Sequence, residues 1–235
     1  MMKKLSVIII CILLLFSGCK SGGGSSSTGG GNSDRSIPGA GEEDYTATEY
    51  ESIFKMWTEF DLPYADADKT GAGDSNMCWA AAAANIITWT GWAADEDDTF
   101  DIFSSYFPNN PGYVYDALRY YFKEYTAGTT ADMVAVRETR SYMLMDFIVS
   151  ALHEGKGVVI KIAYPNKSIG HFLTVYGYQY FPQEDNFALY YADSDDYRHR
   201  MNYLKMVWND ASDRWDSQNL YSGWYLEYVV SLSRY

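Results

Sequence analysis

Basic charge is scarce in this sequence: 18 lysines and arginines face 31 aspartates and glutamates, for a formal net charge of −13. Binding a phosphate backbone needs a basic footprint, so the balance argues against nucleic acid as a partner. Cysteine is scarcer still. Cys11, Cys19 and Cys78 are too few for a disulfide framework. Histidine occurs only as His153, His171 and His199, which leaves imidazole chemistry few places to sit. No internal repeat is present. The acidic stretch ADEDDTFD (94–101) lacks the regular ligand spacing of a calcium loop and reads as a solvated loop or the first turn of a helix. No metal or cofactor is implied.

A long apolar run is also missing. Residues 1–18 (MMKKLSVIIICILLLFSG) have a basic start at Lys3 and Lys4 and then an apolar stretch shorter than the ~20 residues a spanning helix needs. That combination predicts an export signal. Its end, Phe16-Ser17-Gly18-Cys19, looks like a bacterial lipobox, which would leave Cys19 as an acylated first residue. Residues 19–44 are rich in glycine and serine, with almost no large apolar side chain, and read as a flexible tether. The expected location is the cell envelope, with the membrane reached through the lipid. Residues 45–235 are the size of one domain. With Cys11 removed and Cys19 acylated, Cys78 becomes the domain's one thiol. It is either a reactive group or a small core residue.

Residues 45–63 are weakly helical or extended. A turn-rich loop follows, and then CWAAAAANIITW reads as the best helix. Ser75 or Asn76 is its expected N-cap, Gly91 its end, and Trp79, Ala82, Ala83 and Ile86 one face. Further helices are expected over 113–125 and 143–153, the latter ended by Gly155 and Gly157. The period then changes. VVIKIAY (158–164), HFLTVYGYQY (171–180) and FALYYADSD (187–195) read as strands, with PQEDN a hairpin connection, and 224–235 supplies another. Helices followed by sheet make an α+β layout, with the Cys78 helix packed on a mainly antiparallel sheet.

Cys78 falls in the first turn of its helix, where the backbone N–H groups and the dipole favour a thiolate. A nucleophile there needs a base. His153 ends a helix as a dipole-compensating group, and His199 lies in a polar loop. His171 opens a strand directly after Gly170 and can face a helix start. Asp193 and Asp195 lie on the returning strand, on one face if the strand persists, so a hairpin brings an aspartate back beside the histidine to orient it. The N–H of Cys78 is one oxyanion donor. No glutamine precedes the cysteine to supply a second, and Lys69 is the nearest upstream substitute.

Cys-Trp opening an alanine-rich helix and Gly-His opening a strand resemble the papain-like cysteine peptidases. KTGAGDSNMCWAAAAANIITW, GHFLTVYGY and LYYADSDD are similar to the streptococcal immunoglobulin G-degrading cysteine endopeptidases, the IdeS/Mac family. The resemblance implies a papain-like fold and a cysteine endopeptidase acting on protein or peptide substrates. It also implies a Cys–His–Asp site with a second aspartate and an oxyanion lysine, which fall on Cys78, His171, Asp193, Asp195 and Lys69. The interval from Cys78 to His171 is much shorter than in the streptococcal enzymes, so immunoglobulin is one candidate substrate alongside other host proteins rather than an implied specificity. The alternatives are a catalytically silent surface binding protein of the same fold, or an acyl transferase of transglutaminase or transpeptidase type.

Overall fold

Five consecutive alanines decide how the helical half of the molecule packs. The computed structural model describes residues 52–69, 71, 73–126, 134–138, 142–165, 170–196 and 199–235. The expected signal (1–18), the lipid-bearing Cys19 and the tether (19–44) lie outside the described residues. Among the described residues no helix is long and apolar enough to cross a membrane.

A short strand β1 (Ser52–Lys55) and a one-turn helix α1 (Met56–Glu59) come first, then α2 (Cys78–Trp89), α3 (Glu96–Tyr106) and α4 (Val114–Tyr125). Strand β2 (Val134–Glu138) and helix α5 (Leu144–His153) precede β3 (Gly157–Ala163), β4 (Gly170–Phe181) and β5 (Asn186–Ala192). β6 (Asn202–Asn209), β7 (Arg214–Ser217) and β8 (Tyr225–Leu232) complete the order. The molecule is α+β, as expected. The strands are not confined to the second half, however, since β1 and β2 precede or interrupt the helices. The stretch at 94–101 proves to be the start of α3, capped by the Asp95 carboxylate accepting from the Asp98 N–H at 2.9 Å.

α2 is not amphipathic in the way its spacing suggests: all of its residues except Thr88 are buried. α3 and α4 cover one side of it, and β3 and β4 lie against the other. The alanines permit this close packing, and Gly157 at the start of β3 matches them. A methyl group added there would lie 2.6 Å from Cβ of Ile86. α2 ends as its sequence predicts. Gly91 takes φ +84°, its N–H donates to Thr88 O, and the Trp92 N–H donates to Ile87 O, which is a Schellman motif. Gly155 ends α5 in the same way, with φ +70°; Gly157 instead begins the next strand.

Every described strand pairing is antiparallel. β4 pairs with β3 along 170–175 and with β1 along 177–180, while β5 takes its other edge. The pairings β3–β8, β8–β7, β7–β6, β6–β5 and β5–β4 then close a ring of six strands. β3 is buried at every position. Its odd residue Val159 joins the cluster around α2, and Val158, Ile160 and Ile162 join the cluster containing α5. That burial on both faces explains why VVIKIA reads as one apolar run rather than an alternation.

Replacing Gly157 with alanine is expected to force α2 and β3 apart and to cost about 1–3 kcal/mol. Urea denaturation should show a lower midpoint with an unchanged slope; an unchanged midpoint would show that the contact relaxes freely.

Candidate active site

Asp193 and Asp195 reach the same place expected of them by a different route. β5 ends at Ala192, so strand alternation does not position them. They sit instead in a turn, where the Asp196 N–H donates to Asp193 O at 2.8 Å and the Asp195 N–H to Asp193 Oδ1 at 3.2 Å. The aspartate side chain thereby fixes its own turn. Asp193 Oδ1 lies 2.8 Å from His171 Nε2, and Tyr221 Oη donates to Asp193 Oδ2 at 2.6 Å. With Nε2–H committed to the carboxylate, the neutral imidazole presents Nδ1 as its open base. Asp195 Oδ2 stands 4.0 Å from that Nδ1.

Lys69 ties this group to the helix side. Its Nζ is 2.6 Å from Asp195 Oδ1 and donates to Asp74 O at 3.4 Å. Asp74 O also accepts from the Met77 N–H at 2.8 Å, one residue before Cys78. Asp74 Oδ2 in turn accepts from the Gly71 N–H. The loop carrying Lys69 therefore folds back on the turn that delivers the cysteine. Neither Ser75 nor Asn76 caps α2. Met77 holds the cap position without a side-chain bond, and Cys78 is the first helical residue. Asn76 is used elsewhere, its N–H donating to Asn109 Oδ1 at 2.8 Å.

Hydrogen bonds and ion pairs thus join four of the five expected residues, and the Asp74 turn leads into the fifth, Cys78. Cys78 is buried, in the apolar cluster that also holds Phe172, the residue after His171. Cys11 and Cys19 lie outside the described residues. The other histidines stand as read. His153 ends α5 with Nε2 2.9 Å from Tyr178 Oη, and His199 is exposed.

The electrostatics follow from burial. Desolvation alone would push the His171 imidazole down. The Asp193 charge and hydrogen bond, with help from Asp195, outweigh it and raise the pKa. Burial would likewise raise Asp193. The charge and hydrogen bond of His171, the Tyr221 hydroxyl and the Asp195 N–H hold it instead at about 2. The donor atoms of His171, Asp193 and Asp195 lie within 4.8 Å of one another, a spacing that could hold a metal ion. The Lys69 ammonium on Asp195 already supplies a cation there and would repel a second.

Sequence reasoning missed two residues of this region. Tyr221 lies in the turn between β7 and β8, and nothing in YSGW marks it. Asn85 did carry a signal, an amide inside an alanine helix. Wholly buried, it accepts from the Ala67 N–H at 2.7 Å and donates to Thr174 Oγ1 and Ser194 Oγ at 3.1 and 3.3 Å.

No protein-family model matches the chain, and no curated protein matches it.

Asp193→Asn is expected to lower the His171 pKa, read from the imidazole resonances by NMR; an unchanged titration would remove Asp193 as its orienting partner. The acid limb of stability should flatten as well. A carboxylate held near 2, below its ordinary 3.8, contributes stability that is present above the ordinary value and lost as pH falls toward 2. His171, raised from 6.5, contributes fully below that value and loses its contribution as pH rises through the folded pKa.

Proposed function

We propose that the chain is an exported, lipid-anchored cysteine endopeptidase of papain-like fold, similar to the IdeS/Mac enzymes. The observation that carries the reading is the His171 Nε2–Asp193 hydrogen bond of 2.8 Å. It leaves Nδ1 open, on a network that Lys69 fastens to the turn before Cys78. The substrate is a polypeptide, in keeping with the acidic, nucleic-acid-averse surface charge.

In this reading the reduced Cys78 sulfur attacks the scissile carbonyl carbon, and its proton passes to Nδ1 of His171. The imidazolium, steadied by Asp193, protonates the leaving amine as the C–N bond breaks, which leaves a thioester. His171 then takes a proton from water, whose hydroxide attacks the thioester. The C–S bond breaks, the acid departs, and the imidazolium returns its proton to the sulfur. The Cys78 N–H at the start of α2 and the Lys69 ammonium stabilise the developing oxyanion. Asp195 holds Lys69 in place and adds negative charge near Nδ1.

The test compares wild type, Cys78→Ala and Lys69→Met on immunoglobulins, a peptide library and an added amine acceptor. Cleavage is expected from wild type. It should vanish in Cys78→Ala with the fold intact, and fall about 10²–10³-fold in Lys69→Met. Chelator should change nothing. Full cleavage by Cys78→Ala would sink the proposal. An amine conjugate in place of a hydrolysed product would reassign the site to acyl transfer, and no turnover of any kind would favour the binding-protein alternative.

A further inference from the structure

The ends of α3 and α4 frame a groove of about 400 Å³ that the proposed chemistry does not use. That volume falls within the ~300–1,000 Å³ of small-ligand sites. Its floor is the indole of Trp79 on α2. Gly112 lies directly against that ring, and a methyl group added there would stand 2.4 Å from it. The walls are aromatic as well. Phe107 meets Trp79, Tyr106 and Tyr120 edge to face, with ring centroids 5.1, 4.8 and 5.4 Å apart. Tyr106 stacks on Tyr120 at 3.8 Å, and yet Tyr106 is 59% exposed. Rings held by one another but open to water at a groove are a surface made for contact rather than core.

The groove is fixed before any ligand arrives. Trp79 Nε1 donates to Asn110 O at 3.0 Å, and the Asn76 N–H donates to Asn109 Oδ1 at 2.8 Å. The loop between α3 and α4, stiffened by Pro108 and Pro111, is thereby fastened to α2 and to the turn before it. Polar groups come from one face of α4, where Asp116, Arg119 and Lys123 line the groove at helical spacing. Lys123 Nζ is 2.6 Å from Glu124 Oε1, which offsets its charge. Asp116 and Arg119 then leave one carboxylate and one guanidinium at the rim. This balance selects the ligand. An acidic peptide would be repelled by Asp116 and a basic one by Arg119. A neutral polyol is served by both, because each hydroxyl can donate to a carboxylate and accept from a guanidinium. The C–H face of a sugar ring, in turn, packs on aromatic rings.

We propose that this groove binds a neutral saccharide. A sugar ring lies against Tyr106 and Tyr120 above Trp79, and its hydroxyls bond to Asp116 and Arg119. The inference does not rest on the peptidase reading, since the groove shares no residue with the network of His171, Asp193, Asp195 and Lys69.

The test titrates the full chain by calorimetry with neutral hexasaccharides of glucose, mannose, xylose and N-acetylglucosamine. High-mannose glycans released from a glycoprotein, an acidic decapeptide and a basic decapeptide complete the panel. At least one saccharide should bind; a hexasaccharide would indicate a polysaccharide source, and the released glycan a glycoprotein. Tyr106→Ala and Asp116→Ala remove exposed side chains, and each should weaken that binding by about tenfold or more with an unchanged thermal midpoint. Binding of no saccharide, binding of a peptide alone, or undiminished binding by either folded variant would overturn the proposal. Should a variant fail to fold, amide chemical shifts of the wild type decide. Changes centred on residues 106–123 support the groove, and changes centred elsewhere overturn it. A wild type that binds a saccharide but cleaves no polypeptide would defeat the peptidase reading alone.

Discussion

The ion pair between Lys69 and Asp195 is the hinge pin of this molecule. Its ammonium and carboxylate side chains are 4% and 17% exposed and stand 2.6 Å apart. A pair so enclosed costs much of its attraction in lost hydration, so it is not chiefly a source of stability. What it supplies is register. One partner belongs to the loop that leads into α2, and the other to the turn that leaves β5. The helical layer and the strand ring meet at that contact, and the imidazole of His171 is set by the same turn. Removing either charge would leave the other buried alone, which is why the two segments are held so firmly to one arrangement.

Around that pin the polar groups form a graded chain. Tyr221 donates to Asp193, Asp193 holds His171, and Asp195 stands between His171 and Lys69. Asn85 runs a parallel connection one layer deeper, from the loop at Ala67 to Thr174 and Ser194. Such networks are worth having only when nearly every member is satisfied.

Much of this was legible in the sequence, and the rest was hidden for identifiable reasons. α2 and α5 announce their ends through Gly91 and Gly155, because only a residue tolerant of positive φ completes the motif used there. β3, β4 and β5 announce themselves through β-branched and aromatic runs. β6 and β7 do not: NYLKMVWN mixes polar and apolar residues with several positions half-exposed, and RWDS is four residues long. Their pairing is decided by partners elsewhere in the sheet. The cap of α2 was misplaced because the Met77 N–H is satisfied by the carbonyl of Asp74 rather than by a side chain next to the helix. Asp193 and Asp195 were rightly grouped with His171, but through strand alternation that stops at Ala192. A turn pinned by Asp193's own carboxylate achieves the grouping. Tyr221 draws its role wholly from a tertiary neighbour, Asp193, which no local pattern encodes.

The ring of strands carries a consequence for how the molecule is made. β8 comes after every other strand in the chain, yet it lies at the centre of the sheet, between β3 on one side and β2 and β7 on the other. β1, the first strand, waits for β4 more than a hundred residues later. From β3 onward each strand pairs with the one made just before it, so the ring can grow strand by strand as the chain emerges. Its helices can form early, but the ring stays open and its apolar edges unprotected until residues 225–232 arrive. The pairing of β8 with β3 is the late step that closes it.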